Sequence, residues 1–366
     1  MRRVLILLLL GVYGCSRDAA TGIDVADALG GVPETGFARA MEPRTFSFPE
    51  DHYSHPDYRN EWWYLTGQLE DKNGARFGYQ LTFFRIALAP KAAVRDSAWA
   101  TRQLWMAHAA LSDIDAQEHR HEQRFARAAL GLAGQSRSPF RVWLEDWTLV
   151  GGEDGEFPWT LELETDDFSL ALTLTPERAP VLQGKDGLSQ KSAEAGNASY
   201  YYSITRLETA GELRRGDLIH AVDGRSWLDR EWSTSALGDD QIGWDWFSLQ
   251  LSSGADLMLY RLRERAGGTD PHSAGSILSA DDRRIGLGAG DFELDALRWW
   301  TSPDGARYPV AWRLRVPGED LDLRVEALLD DQEMRTSVSY WEGAVDVWPF
   351  AGGESIGRGY LEMTGY

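Results

Sequence analysis

Short stretches in which apolar and polar positions alternate dominate this chain. Leu161 and Leu163, then Phe168, Leu170, Leu172 and Leu174, flank the acidic turn Thr165-Asp166-Asp167. Because strand side chains point alternately to opposite faces, this spacing predicts a hairpin with one buried face. Leu321, Leu323 and Val325 alternate with Asp322, Arg324 and Glu326 after a second acidic turn, Gly318-Glu319-Asp320. Long helical periodicity is absent, and Arg120 to Leu132 is the one stretch that can be read as a helix. Trp (16), Tyr (13) and Phe (13) are plentiful and glycine punctuates the apolar runs, as suits strands. An all-β fold is expected.

Segments recur in the same order in the two halves, a stronger signal than any single match. Trp62-Trp63-Tyr64-Leu65-Thr66-Gly67-Gln68-Leu69 is echoed by Trp244-Asp245-Trp246-Phe247-Ser248-Leu249-Gln250-Leu251, each followed by a glycine turn, Asn73-Gly74 and Ser253-Gly254. His108 to Asp113 has a fainter partner in Gly275 to Ala280, Trp159 to Leu163 pairs with Trp312 to Val316, and Ser199-Tyr200-Tyr201-Tyr202 with Ser339-Tyr340-Trp341-Glu342. Gly224-Arg225-Ser226-Trp227-Leu228-Asp229 recurs as Gly357-Arg358-Gly359-Tyr360-Leu361-Glu362. Two tandem copies of one β unit are expected, at residues 44–236 and 241–366. Antiparallel units with edges to hide close most economically into barrels, and sandwiches or jelly rolls also fit the composition.

The N-terminus bears on location. Arg2 and Arg3 precede the apolar run Val4 to Leu10, and Gly14 stands directly before Cys15, the single cysteine. The run is too short to span a bilayer and reads as an export signal, either one whose cleavage leaves lipid on Cys15 or an ordinary cleaved signal with Cys15 there by chance. Ser16 after it suits onward sorting to the outer membrane, and residues 16–43 read as a tether. With one cysteine, the folded part holds no internal disulfide. Losing the signal moves the formal charge from −20 to −22, because it carries Arg2 and Arg3 and no acid. Such acidity excludes nucleic acid as a natural partner and leaves membrane attachment to the lipid. Export, a barrel unit and abundant aromatics together suggest a lipocalin-like container for something apolar.

The candidate chemistry centres on Gly224 to Trp232. As a strand, this stretch sets Trp227, Asp229 and Glu231 on one face and Leu228, Arg230 and Trp232 on the other. An acid held dry against indole can donate a proton to an apolar substrate; the same acid could instead anchor Arg225 or Arg230 at a barrel rim. Tyr200, Tyr201 and Tyr202 must split between faces, so at least one ring leaves the barrel interior. Glu61, Trp62, Trp63 and Tyr64 either line a ligand site or plug and join the barrels. Asp51-His52-Tyr53-Ser54-His55-Pro56-Asp57 offers oxygen and nitrogen ligands but no third histidine nearby, so no metal is expected. His119-Arg120-His121 reads as a solvated loop. Gly286-Leu287-Gly288-Ala289-Gly290 lacks the strand and helix a nucleotide loop requires, no Gly-x-Ser-x-Gly elbow occurs, and no cofactor is called for.

Asn60 to Gly67, Tyr79 to Arg85, Ser226 to Trp232 and the closing Gly359-Tyr360-Leu361-Glu362-Met363-Thr364-Gly365-Tyr366 resemble the AttH/CrtC family over nearly all of the chain after the tether. The resemblance implies two tandem lipocalin-like barrels. The family includes acyclic carotenoid hydratases (hydroxyneurosporene synthases) and lipoproteins of unknown activity associated with ABC transporters of the lipoprotein-export type; the lipoprotein signal and Asp229-Arg230-Glu231-Trp232 place this chain nearer the second group. It implies a lipid-anchored cell-envelope protein that binds an apolar, lipid-like ligand, with a transporter permease as partner. The alternative it implies is a hydro-lyase in which Asp229 protonates an alkene beside Trp227. A histidine and tryptophan of the hydratases fall by spacing on Tyr200 and Tyr202, and the histidine is missing.

Overall fold

The computed structural model describes residues 23–24, 35–91, 96–234 and 237–366; Cys15 with its signal, and the tether up to residue 34 apart from 23–24, lie outside them. Among the described residues the regular structure is strand with two short 3-10 turns, in two antiparallel sheets of thirteen and eleven strands, the second counting the Ile23–Asp24 strand that pairs in parallel with Val338 and Ser339.

Both sheets follow one plan. In the first, Asn60–Asp71 is followed by Arg76–Ala87, Gln103–Asp113 and Glu118–Arg127 on one side. On its other side it pairs with the last strand of the unit, Leu218–Ser233, which continues through Ala198–Arg215, Phe168–Pro176, Trp159–Glu164, Trp147–Val150, Arg141–Leu144 and Ala133–Ser136. In the second, Gln241–Leu251 pairs with the last strand, Gly357–Met363. Each sheet therefore curls into a nearly closed, lipocalin-like barrel in which the first strand pairs with the last, while Glu118–Arg127 and Ala133–Ser136 form the two ends of the first sheet. The turns that start each meander need Gly74 (φ +86°) and Gly254 (φ +89°) in a backbone region closed to most residues.

The hairpins read from alternation are present: Leu161 faces Leu172, and Leu314 faces Leu323 across the Pro317–Glu319 turn. Their apolar faces fill the barrels. Trp63, Trp105, Trp147 and Trp159 are fully buried in the first interior, and Phe247, Trp312 and Trp341 in the second. The barrels are thus packed cores and not containers.

Four local expectations change. Arg120 to Leu132 is no helix: Glu118–Arg127 is a strand, paired along its length with Gln103–Asp113. His119 and His121 do not lie in a solvated loop; His119 bonds Ser112, and the Arg335 amide of the second barrel donates to His121. The tether ends earlier than residue 43, since Phe37 and Ala40 are buried and Ala38 pairs with Asp57. Ser199 to Tyr202 matches one residue earlier than supposed. Ser203 lies opposite Asp229 and Glu342 opposite Glu362, so Tyr201 corresponds to Tyr340 and Ser203 to Glu342.

The central strands of each unit are buried on both faces, as Asn60–Asp71 shows by being exposed nowhere along its length. One face packs its own barrel and the other meets the second barrel. Gln68 donates to the carbonyls of Val345 (2.8 Å) and Gly359 (2.9 Å), and Asp256 accepts Arg206 at 2.7 Å and Arg178 at 3.0 Å. Gly78 lies so close to Ala344 and Tyr360 that a methyl group there would stand 2.7 Å from the Ala344 side chain.

Candidate functional site

The faces that meet between the barrels enclose a cleft of about 90 Å³, room for several water-sized groups. Alternation decides what enters it. Trp227, Asp229 and Glu231 point outward from the first barrel into this interface, while Leu228, Arg230 and Trp232 point inward. The neighbouring strand contributes Trp62 and Tyr64, and the second barrel adds Trp244, Trp246, Tyr340, Glu342 and Glu362.

Asp229 is 3 % exposed. Its Oδ1 accepts hydrogen bonds from Ser203 Oγ at 2.6 Å and from Trp227 Nε1 at 2.7 Å, and its Oδ2 accepts one from Tyr201 Oη at 2.5 Å. Trp246 Nε1 in turn donates to Tyr201 Oη at 3.1 Å, tying the acid to the second barrel. Gln183 donates to Ser203 and accepts from Ser276, fixing the other side. Burial raises the carboxyl from its ordinary 3.8 to about 7; the three hydrogen bonds oppose the rise and the Glu231 charge adds to it. Among the described residues no arginine pairs with it. Arg225 binds Glu177 at 2.8 Å, and Arg230 binds Glu61 at 2.7 Å inside the barrel. The arginine-anchor alternative for Asp229 is therefore overturned.

Glu61 is the acid that anchors arginine. It is held by Arg85 (2.9 Å), Arg230 (2.7 Å) and His55 (2.7 Å), fully buried among the first barrel's side chains. Burial alone would raise its pKa, but Arg230 and Arg85 hold it far below the usual carboxylate range. His55 also bonds Asp51 at 3.1 Å and stacks on Trp232 with ring centroids 3.7 Å apart. Asp51 and His55 of the Asp51 to Asp57 segment are thus committed to an ion-pair network.

The four residues Glu61 to Tyr64 consequently divide. Trp62 and Tyr64 line the cleft, while Glu61 and Trp63 face the first interior, where Trp63 stacks on Trp105 at 5.6 Å. The supposed grouping of Tyr200 and Tyr202 with Asp229 is likewise corrected. Both rings point into the first barrel, where Tyr202 meets His52 (2.6 Å) and Tyr200 donates to the Glu42 carbonyl (2.8 Å). The residues two apart that face Asp229 are Tyr201 and Ser203. Their signal was available in the sequence, because strand pairing with Asp229 selects one parity of the Tyr200 to Ser203 run.

The second barrel's contribution was not read beforehand except for Glu362. Glu342 is 1 % exposed, and neither of its carboxylate oxygens makes a hydrogen bond of normal geometry; the Tyr64 and Tyr340 hydroxyls lie close enough to oppose the rise in its pKa. Burial, then the charge of Glu362, pushes its pKa well above the ordinary 4.5. Glu362 accepts Trp244 Nε1 at 2.6 Å and is raised to about 7 by burial, with Asp229 and Glu231 adding to the rise. Lys191 sits 3.2 Å from Glu231 and 4.2 Å over the Tyr260 ring. The cleft thus holds four acids, one cation and a lining of aromatic rings. Among the described residues no group of three or more His, Cys, Asp or Glu side chains has the arrangement of a metal site.

A family model described as AttH-like matches residues 39–366. The chain belongs to the AttH-like family. A crystal structure of a putative AttH from Nitrosomonas europaea is 36 % identical, with a TM-score of 0.81, over 90 % of this chain and all of that one. Kievitone hydratase from Nectria haematococca is 14 % identical with a TM-score of 0.65, covering 91 % and 98 % of the two chains. CghA, solved with Sch210972, is 13 % identical with a TM-score of 0.51 over 93 % and 97 %. The last two share the fold with this AttH-like chain. No curated protein sequence matches it.

Proposed function

We propose that this AttH-like protein takes the end of an apolar, unsaturated molecule into the cleft between its barrels and catalyses proton-initiated addition of water there, with Asp229 as the acid. The observation that carries this reading is a buried carboxyl, in no ion pair among the described residues, whose pKa raised to about 7 keeps a large share of it protonated near neutral pH, set among Trp227, Trp246 and Tyr64. The hydratase name of a structural relative agrees with it.

The chemistry balances within the site. Asp229 gives its proton to the less substituted carbon of a trisubstituted alkene, the π bond breaks, and a tertiary cation forms against aromatic faces. Water bonds to that cation and releases a proton, which restores the Asp229 carboxyl. Tyr201, Ser203 and Trp227 stabilise the carboxylate that exists between these events.

Lipid on Cys15 would hold the protein at the cell envelope, where a transporter of the lipoprotein-export type could deliver or remove the ligand. The support for this placement is the N-terminal sequence.

The test is mass spectrometry of apolar molecules that co-purify with the mature protein, followed by incubation with squalene, a terminal trisubstituted alkene, in deuterated water. Wild type is expected to retain an apolar molecule and to add deuterium and oxygen to the alkene. Asp229→Asn is expected to bind without labelling. Retention without labelling by wild type would leave a binding protein and remove the enzyme.

A further inference from the structure

The proton donor lies on the first barrel's wall of the cleft, and the acids of the opposite wall have no part in the steps above. That wall carries Glu342, a buried carboxyl with neither oxygen in a hydrogen bond of normal geometry, and Glu362, directly across the strand pair from it. The hydroxyl of Tyr64, a residue 6 % exposed, also makes no hydrogen bond of normal geometry and points into the same space. Such groups are costly to bury unsatisfied. Lys191, the cation lining the cleft, is already engaged with Glu231.

We infer that this wall is a site for an organic cation, formed by Glu342 and Glu362 with the rings of Tyr64, Trp244 and Tyr340, and that the ligand end opposite Asp229 carries or acquires positive charge. The inference rests on the cleft being the ligand site. A carboxylate pair bordered by aromatic rings recognises a weakly hydrated cation, such as a tertiary carbocation or a quaternary ammonium, by charge and by the ring quadrupoles together. A neutral apolar group gains only the burial. Proximity and burial favour the protonated form of the pair. A cation would favour their ionised form, so binding should release a proton and strengthen as pH rises.

The groups facing Glu342 are consistent with this. Glu362 lies beside it, Tyr340 is on its own strand, Tyr360 is on the adjacent strand, and Tyr64, Asp229 and the Lys191–Glu231 pair come from the first barrel. The acid across the cleft, Asp229, also raises Glu362, so a positive charge between the walls relieves both sides.

Octyltrimethylammonium and 1-octanol, applied to the full mature protein by calorimetry in two buffers of different ionisation enthalpy, separate the contributions. The ammonium is expected to bind about tenfold more tightly than the alcohol and to release about one proton on binding near pH 7. Glu342→Gln, which replaces a neutral acid by its neutral isostere, is expected to bring the ammonium down to the alcohol's affinity and leave the alcohol unchanged. Alcohol binding equal to or tighter than ammonium binding, or ammonium binding without proton release, overturns the cation site and leaves the apolar cleft standing. Binding of neither probe overturns both readings.

Discussion

Asp229→Asn should make the protein more stable, and the gain should depend on pH in a prescribed way. In the folded protein the Asp229 carboxyl titrates at about 7 and its ordinary value is 3.8. Below the unfolded value both states are protonated and the group contributes nothing. Between about 3.8 and 7 the folded state binds a proton that the unfolded state has released, so stability falls as pH rises. Above about 7 both states are ionised and the loss is constant. At about 1.4 kcal/mol per pH unit, the shift from 3.8 to about 7 corresponds to roughly 4 kcal/mol of stability given up at alkaline pH.

Asparagine fits the same place. Its Oδ1 can accept from Ser203 and Trp227, and its Nδ2 can donate to the Tyr201 hydroxyl, so the substitution removes the ionisation and keeps the hydrogen bonds. Urea unfolding of both proteins at pH values from about 5 to 8 reads the difference directly. Wild type is expected to fall progressively below Asp229→Asn up to neutral pH and then to run parallel to it. Curves parallel throughout, or a wild type that is the more stable protein at alkaline pH, would refute the placement of an uncompensated acid here. That stability sacrificed at one residue marks a site kept for chemistry.

Tyr201→Phe removes a donor to the ionised Asp229, so the carboxyl should titrate still higher than about 7; its infrared carboxyl band followed against pH measures the displacement. Glu61→Gln leaves Arg85 and Arg230 without their carboxylate partner in the first barrel and should cost about 3–5 kcal/mol in denaturant unfolding. Glu61 does not border the cleft, so 1-octanol affinity should be unchanged in the folded fraction. Gly78→Leu forces a side chain against Ala344 and Tyr360 and should destabilise by about 1–3 kcal/mol, with a lowered melting temperature as the readout.

The legible part of this protein was its periodicity. Alternation located the hairpins at Leu161 to Leu174 and Leu321 to Val325, and the ordered recurrence of Trp-rich segments identified the duplication. Alternation also assigned Trp227, Asp229 and Glu231 to one face. It does not say which face is the barrel interior, and the assumption that aromatic residues point inward placed Tyr200 and Tyr202 with the acid in place of Tyr201. Glu118–Arg127 was misread because its charges sit on an edge strand where one face borders the second barrel and supplies little apolar signal. Glu342 could not be found without the strand register, since the repeat match was one residue out. Cys15 and the signal before it lie outside the described residues.

Duplication explains why the site sits outside both barrels. A single lipocalin-like unit with an interior filled by Trp63, Trp105 and Trp159 has no cavity, and its outer face would normally be polar. Once two copies associate through their first and last strands, the outer faces become a second interior. Residues at corresponding positions then confront each other: Tyr64 and Trp246, whose rings lie 5.2 Å apart, and behind them Asp229 and Glu362. Each acid is buried by the opposite copy and by that means acquires its raised pKa. An isolated first barrel would expose Asp229 to water and return it toward 3.8, so the acid strength proposed for catalysis is a property of the pair of barrels and belongs to neither alone.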